Sequence, residues 1–284
     1  MKASIFGIMM LYTSLLFSQA LVCSEEDKRT FETKMVELQA LENNDTGIII
    51  KEVGLSFMGT PYVAKTLEIG DEEALVINFQ GLDCTTYVEN TLAFSNLLFL
   101  GKSDFESFTN VLENIRYRDG KLNGYASRLH YFSEWISNNQ KMGYLKDITK
   151  EVGGENFQKN INFMSTHRDL YPFLEDEKNY EEILSSEKIL SEKSFYVLKT
   201  AKIHENEKKI KDGDIIALTT SIKGLDVTHT GLAIFKEDGR LYLLHASSSG
   251  KVTVTNEPLT DYLKGIKNNT GITVARPLKN SFYK

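Results

Sequence analysis

Residues 82–90 read Leu82-Asp83-Cys84-Thr85-Thr86-Tyr87-Val88-Glu89-Asn90, LDCTTYVEN, and this stretch decides how the first half of the chain is arranged. Asp83 and Thr86 both carry side chains that accept hydrogen bonds from the free amides at a helix start, and Glu89, three residues after Thr86, completes a capping-box spacing. Val88 and Leu92 then face inward together. A helix is therefore expected to begin at Asp83 or Thr86, with Cys84 at its N-terminus. A thiol there feels about half a positive charge from the aligned peptide dipoles, which favours the thiolate.

Working outward, Phe31, Met35, Leu38 and Leu41 recur at helical spacing over 27–43, and Ile49, Val53 and Phe57 do so over 46–58 until Gly59, Thr60 and Pro61 stop the run. Downstream, Ser103 and Glu106 form a second capping-box spacing ahead of Phe105, Phe108, Leu112 and Ile115. Ser127 is placed to cap a helix carrying Leu129, Phe132 and Trp135 as far as Gly143. Residues 175–193 mix charges of both signs with sparse apolar anchors, the pattern of a solvated helical face. After about 212 the period changes: Asp214–Leu218, His229–Phe235, Leu241–His245 and Val252–Thr255 are short β-rich runs separated by turn residues, which predicts an antiparallel meander. Helices first and strands afterwards is an α+β layout, and no internal repeat interrupts it.

The 284 residues are 41% hydrophobic and 25% charged, which excludes disorder, collagen and coiled coil as descriptions of the whole chain. The beginning is different material: Lys2, an apolar run from Ile5 to Phe17, then the small residues Ser18 and Ala20. Residues 1–24 are expected to be a secretory signal peptide, cleaved after Ala20 or a few residues later, leaving 25–284 as one exported domain. Cys23, just behind the apolar segment, is a candidate lipid-anchor site, although Val22 before it is bulkier than such sites prefer. No later stretch is apolar enough to span a membrane. The formal charge of −6 becomes one unit more acidic when Lys2 leaves with the leader, which argues against a nucleic-acid partner.

Of the two cysteines, Cys84 is the one certain to remain in the folded domain, and an unpaired thiol in an exported protein is a candidate nucleophile. Among five histidines, His229 and His245 fall on neighbouring predicted strands whose hairpin turns near 237–239, so their rings can meet on one face. A thiol, a base and a group that orients the base are what nucleophilic acyl transfer requires. Amides at the helix start, with the hydroxyl of Tyr62 in the GTPY turn, can receive an oxyanion. Taken singly, a buried cysteine, strand histidines and Tyr62 are each ordinary core residues. Metal is disfavoured because no His or Cys pair stands at i, i+4 or in C-x-x-C spacing, and no Gly-rich phosphate loop is present.

GTPY at 59–62, LDCTTYVEN at 82–90, HTGLAI at 229–234 and HAS at 245–247 occur in an order that resembles the NlpC-type papain-like cysteine peptidases, which act on bacterial cell-wall peptides. GTPYVAKTLE, GLDCTTYVENTLA, YRDGKLNGYASRLHYFSEW and DGDIIALTT resemble one branch, the N-acetylmuramoyl-L-alanine amidase-like proteins once grouped as a domain of unknown function. The resemblance implies a helical half bearing Cys84, packed on an antiparallel sheet bearing the histidines, with a helical insertion. It further implies Cys84 as nucleophile, His229 as base and acid, His245 orienting His229, and Tyr62 lining the site. Arg128 and His130, in a segment characteristic of the branch, are expected to contact substrate carboxylates, with Asp83 and His167 as further candidates. The implied reaction is hydrolysis of the amide between N-acetylmuramic acid and L-alanine of muropeptides or peptidoglycan fragments, without a cofactor, in the periplasm or envelope of a bacterium. The alternatives are an endopeptidase cutting after D-glutamate and a non-catalytic muropeptide-binding protein.

Overall fold

The computed structural model describes residues 21–279. Its first half comprises β1 (Leu21–Cys23), α1 (Glu25–Leu38), α2 (Thr46–Leu55), β2 (Leu75–Ile77), α3 (Cys84–Leu100), α4 (Phe105–Arg116) and α5 (Phe132–Lys141). A middle region follows with β3 (Leu145–Asp147), β4 (Glu155–Phe157), α6 (Phe163–Thr166), α7 (Glu177–Ser191), β5 (Phe195–Lys199) and α8 (Thr200–Asn206). The remainder is β6 (Ile215–Thr220), β7 (Val227–Phe235), β8 (Leu241–Ala246), β9 (Val252–Val254), α9 (Leu259–Lys264) and β10 (Asn269–Pro277).

The expected α+β arrangement is present: helices gather on one part and an antiparallel sheet forms the other. That sheet runs β4-β5-β10-β6-β7-β8-β9, with β3 also paired to β10. The predicted meander is its β6–β9 portion. The sequence reading did not place β10, which enters between β5 and β6 so that the last of the described strands lies near the middle of the sheet. α3 packs against β7 and β8. It is buried almost all round, polar residues included. The polar side chains inside it bond to the carbonyl one turn back: Asn90 to Thr86, Thr91 to Tyr87, Ser95 to Thr91 and Asn96 to Leu92, each at 2.8 Å. Its own Phe94 packs with Phe31, Phe57, Phe79 and Phe108, the Phe94 and Phe108 rings being 4.8 Å apart. Gly54 lets α2 close on this core, since a Cβ there would lie 2.5 Å from Leu232 Cδ1 and 2.7 Å from the Tyr87 hydroxyl.

Several local expectations are corrected. The apolar run up to Ala20 lies outside the described residues, and directly after it Leu21–Cys23 form β1 with Ser24 ahead of α1. β1 pairs in parallel with β2, and Ser24 caps α1 in a reciprocal box with Asp27. The helix expected over 27–43 ends at Leu38 and tightens into a 3₁₀ turn at Gln39–Leu41, and the one over 46–58 ends at Leu55. α4 is capped by Asp104, which accepts from the Ser107 amide at 2.8 Å, and not by Ser103. Ser127 caps no helix; its hydroxyl accepts from Asn123 N and donates to Gly124 O, closing a turn before α5. α7 exposes one face but buries Ile183 and Leu190, and its Glu187 accepts from the Tyr131 hydroxyl at 2.6 Å.

Candidate active site

The start of α3 is set by Asp83 and Thr86 together. Asp83 Oδ1 accepts from the Thr86 amide at 2.7 Å, while Thr86 Oγ1 accepts from the Asp83 amide at 2.9 Å. The box thus lies three residues earlier than Thr86–Glu89, and Asp83 is engaged as a cap. Because Asp83 takes the Thr86 amide, the amides of Cys84 and Thr85 remain as the donors of the first turn. Cys84 is half-buried. Thr230 Oγ1 donates to the Cys84 carbonyl at 2.8 Å, which fixes the helix start against β7 beside His229.

β7 and β8 supply the two imidazoles. The ladder pairs Leu232 with Leu244, so one step further Gly231 lies opposite His245 and His229 is its diagonal neighbour, within reach of a ring. Gly231 makes room for the contact: a Cβ there would sit 2.7 Å from Leu244 O and 2.9 Å from His245 Cβ. His229 Nε2 and His245 Nδ1 are 2.6 Å apart with the rings perpendicular. That bond leaves His229 Nδ1 as the nitrogen not engaged by His245. His245 is 2% exposed and His229 half-buried.

The electrostatics differ from the helix-dipole expectation. Burial pushes the Cys84 thiol up to about 11, with the Asp83 carboxylate adding in the same direction against hydrogen bonds from Thr230 and Thr85. Burial and the neighbouring His245 hold His229 down to about 3, and burial holds His245 down to about 4. The resting group is therefore a neutral thiol with two neutral imidazoles. Each lone charge is disfavoured by desolvation, so a proton leaving Cys84 for His229 makes both charges at once, where each stabilises the other.

Two phenols flank Cys84. Tyr62, held by its amide to Gly250 O at 2.7 Å and bridged to Leu82, is raised by burial, by Cys84 and by Asp83. Tyr262 on α9 was missed by the sequence reading. Its ring stands 5.6 Å from that of His245 at 73°, and its hydroxyl is raised by burial and by Cys84. Nothing in LTDYLKG distinguishes Tyr262 from a helical core tyrosine.

The branch segment is arranged differently from the expectation. Arg128 is 5% exposed and does not stand free to receive a carboxylate: it pairs with Glu68 and, at 3.4 Å, with Glu73, which also accepts from the Tyr117 hydroxyl at 2.8 Å. A second buried pair, Arg116–Glu89 at 2.7 Å, ties α4 to α3. His130 Nε2 bonds to Tyr125 O at 2.9 Å, and burial with the nearby Arg128 charge holds its imidazole well below the usual range, so it is neutral and occupied. His167 is stacked on Phe163 with Nδ1 2.8 Å from the Phe163 carbonyl, in the middle region. The structure thus groups Cys84, His229, His245, Tyr62 and Tyr262, and gives Arg128, His130 and His167 local partners of their own. Among the described residues no cluster of His, Cys, Asp or Glu could hold a metal ion.

A thiol at a helix start beside a hydrogen-bonded imidazole pair is an arrangement suited to acyl transfer. The chain belongs to the N-acetylmuramoyl-L-alanine amidase-like family, whose profile matches residues 52–272. It resembles an N-acetylmuramoyl-L-alanine amidase from Bacteroides uniformis ATCC 8492, at 41% identity over 83% of this chain and 100% of that one with a TM-score of 0.79. A candidate xylanase from Bacteroides fragilis is 44% identical over 79% of this chain and 99% of that one, with a TM-score of 0.74. A Legionella pneumophila protein, 24% identical over 90% and 97% of the two chains, shares the fold at a TM-score of 0.66. No sequence among curated proteins matches the chain.

Proposed function

We propose that the protein is a cysteine-dependent amidohydrolase of papain-like, NlpC-type architecture that cleaves the bond between N-acetylmuramic acid and L-alanine in muropeptides. The observation that carries this reading is the 2.6 Å imidazole pair on β7 and β8, joined to the Cys84 helix through Thr230. His229 donates from Nε2 to His245 Nδ1, which leaves its Nδ1 unprotonated and able to take the Cys84 proton as sulfur attacks the lactyl carbonyl. The first-turn amides of α3 and the Tyr62 hydroxyl receive the oxyanion. His229 then returns the proton to the alanine nitrogen, the peptide leaves, and water activated by the same imidazole hydrolyses the thioester. No cofactor enters these steps.

Glycosidase chemistry, as the name of the Bacteroides fragilis relative suggests, needs two carboxylates free to face a sugar. Around α3 these groups are committed: Asp83 caps the helix, Glu89 pairs with Arg116, and Glu73 with Arg128 and Tyr117. Amide hydrolysis is therefore the reading adopted. The apolar leader supports export to a bacterial envelope compartment, with a cut after Ala20 sparing β1, whereas a lipid on Cys23 would require removal of Leu21 and Val22 from their pairing with β2. Mass spectrometry of a mixed muropeptide digest tests the bond: free N-acetylmuramic acid and peptides beginning with L-alanine are expected. Recovery of N-acetylmuramoyl-dipeptide would show a cut after D-glutamate instead.

A further inference from the structure

We infer that Tyr262 is a positioning residue, whose ring closes the solvent side of the His229–His245 hydrogen bond and fixes the His245 imidazole in the orientation that His229 needs. His245 reaches only 2% exposure although it lies on β8, close to the edge of the sheet formed by β9. The groups the structure places against it are His229 on β7, Thr253 opposite on β9 and Tyr262 on α9, with Cys84 close enough to Tyr262 to raise its hydroxyl. Of these, the Tyr262 ring meets the imidazole nearly at right angles, 5.6 Å between centres, a geometry in which one ring's edge addresses the other's face. Such a contact offers the imidazole no competing hydrogen-bond partner. It excludes water without diverting the His245 nitrogen from His229.

α9 is built to hold that ring still. Leu259 and Leu263, one turn before and one residue after Tyr262, are buried, and α9 packs on β8. The Tyr262 amide bonds to Pro258 O at 3.0 Å, and Thr260 Oγ1 accepts from Arg240 at 3.0 Å. The tyrosine is therefore presented from a fixed platform. In an open site, water would compete for His245 Nδ1, the imidazole could turn, and His229 would lose the acceptor that keeps its Nδ1 free to act as base.

The inference rests on the amidase reading for its catalytic consequence, but the state of the His245 ring can be observed without any substrate. Three variants separate the roles: Tyr262→Phe keeps the ring, Tyr262→Leu keeps apolar bulk, and Tyr262→Ala removes both. Ring-nitrogen NMR titration of the full mature chain is expected to show His245 near 4 in the parent and in Tyr262→Phe, and moving up toward the ordinary 6.5 in Tyr262→Ala as water enters. On muropeptide, kcat should fall about tenfold in Tyr262→Ala with KM unchanged, its acid limb shifting to higher pH, while Tyr262→Phe restores the parent value. Tyr262→Leu should lie between and reports on the ring even where the alanine variant folds poorly. An unchanged His245 titration in both Tyr262→Leu and Tyr262→Ala would overturn the inference. So would a Tyr262→Phe variant as impaired as Tyr262→Ala, which would assign the role to the hydroxyl. If the parent hydrolyses no muropeptide, the amidase reading fails while the titration still decides the role of Tyr262.

Discussion

Replacing Arg128 by alanine separates a structural charge from a substrate receptor. The guanidinium is 6% exposed as a side chain, and its partner Glu73 is 1% exposed. Removing one member of a buried ion pair strands the other, at about 3–5 kcal/mol. In a domain of this size each kcal/mol lowers Tm by about 2–4 °C, so Arg128→Ala should melt roughly 10 °C below the parent at pH 8. The pH dependence carries the signature. Glu73 is already raised above the usual carboxylate range, burial being the largest cause and Arg128 the strongest opposing influence, so loss of Arg128 raises it further. A carboxyl raised in the folded state binds its proton more tightly there than in the unfolded chain. Its penalty is therefore complete above the folded value and fades as pH falls toward the unfolded one near 4.3. The Tm deficit of the variant should accordingly shrink between pH 8 and pH 5 in melts followed by circular dichroism. A variant that melts within about 2 °C of the parent at both pH values, yet loses hydrolysis, would refute this account and return Arg128 to the substrate-binding role expected from its motif.

Cys84→Ala and His229→Ala should each abolish muropeptide hydrolysis while retaining the parent circular dichroism spectrum, and the double variant should be no worse, because the two groups act as a unit. His245→Ala should be milder in the same assay, since water can partly replace an orienting group. Iodoacetamide labelling of resting Cys84 should be slower than that of free cysteine at neutral pH and rise only under alkaline conditions, as a thiol held up to about 11 requires; a profile with its midpoint below neutrality would instead show a preformed thiolate. Asp27→Ala should cost about 2–4 kcal/mol in urea unfolding, because it removes both the box with Ser24 and the partner of the buried Phe79 amide at 2.7 Å. A cost below about 0.5 kcal/mol would mean that the α1 start contributes little.

What could be seen in the sequence was local. The start of the Cys84 helix needed only capping chemistry and an apolar face, and the β6–β9 strands announced themselves as short β-rich runs between turn residues. The approach of His229 to His245 was legible because a hairpin converts sequence spacing into distance, although the ladder makes them diagonal neighbours. The burial of Cys84 was not legible, since desolvation depends on what packs over a group, and here it opposes the helix dipole. Arg128 read as a free cation because Glu68 and Glu73 lie more than fifty residues away, and nothing in GTPYVAKTLE marks its final Glu68 as the partner of an arginine. Tyr262 and β10 escaped for the same reason: both acquire their meaning from partners remote in the chain.

The strand β10 has a consequence for the timing of maturation. β5 and β6 both bond to it, so the two parts of the large sheet have no common seam until residues 269–277 have been made. At about 5–20 residues per second, Cys84, His229 and His245 are all synthesised while that slot stands empty. Closing it is a late, long-range event of the slow kind. Until then β5 and β6 present open edges that invite pairing with other chains. The last described strand, far in sequence from Cys84, therefore completes the sheet that carries His229 and His245.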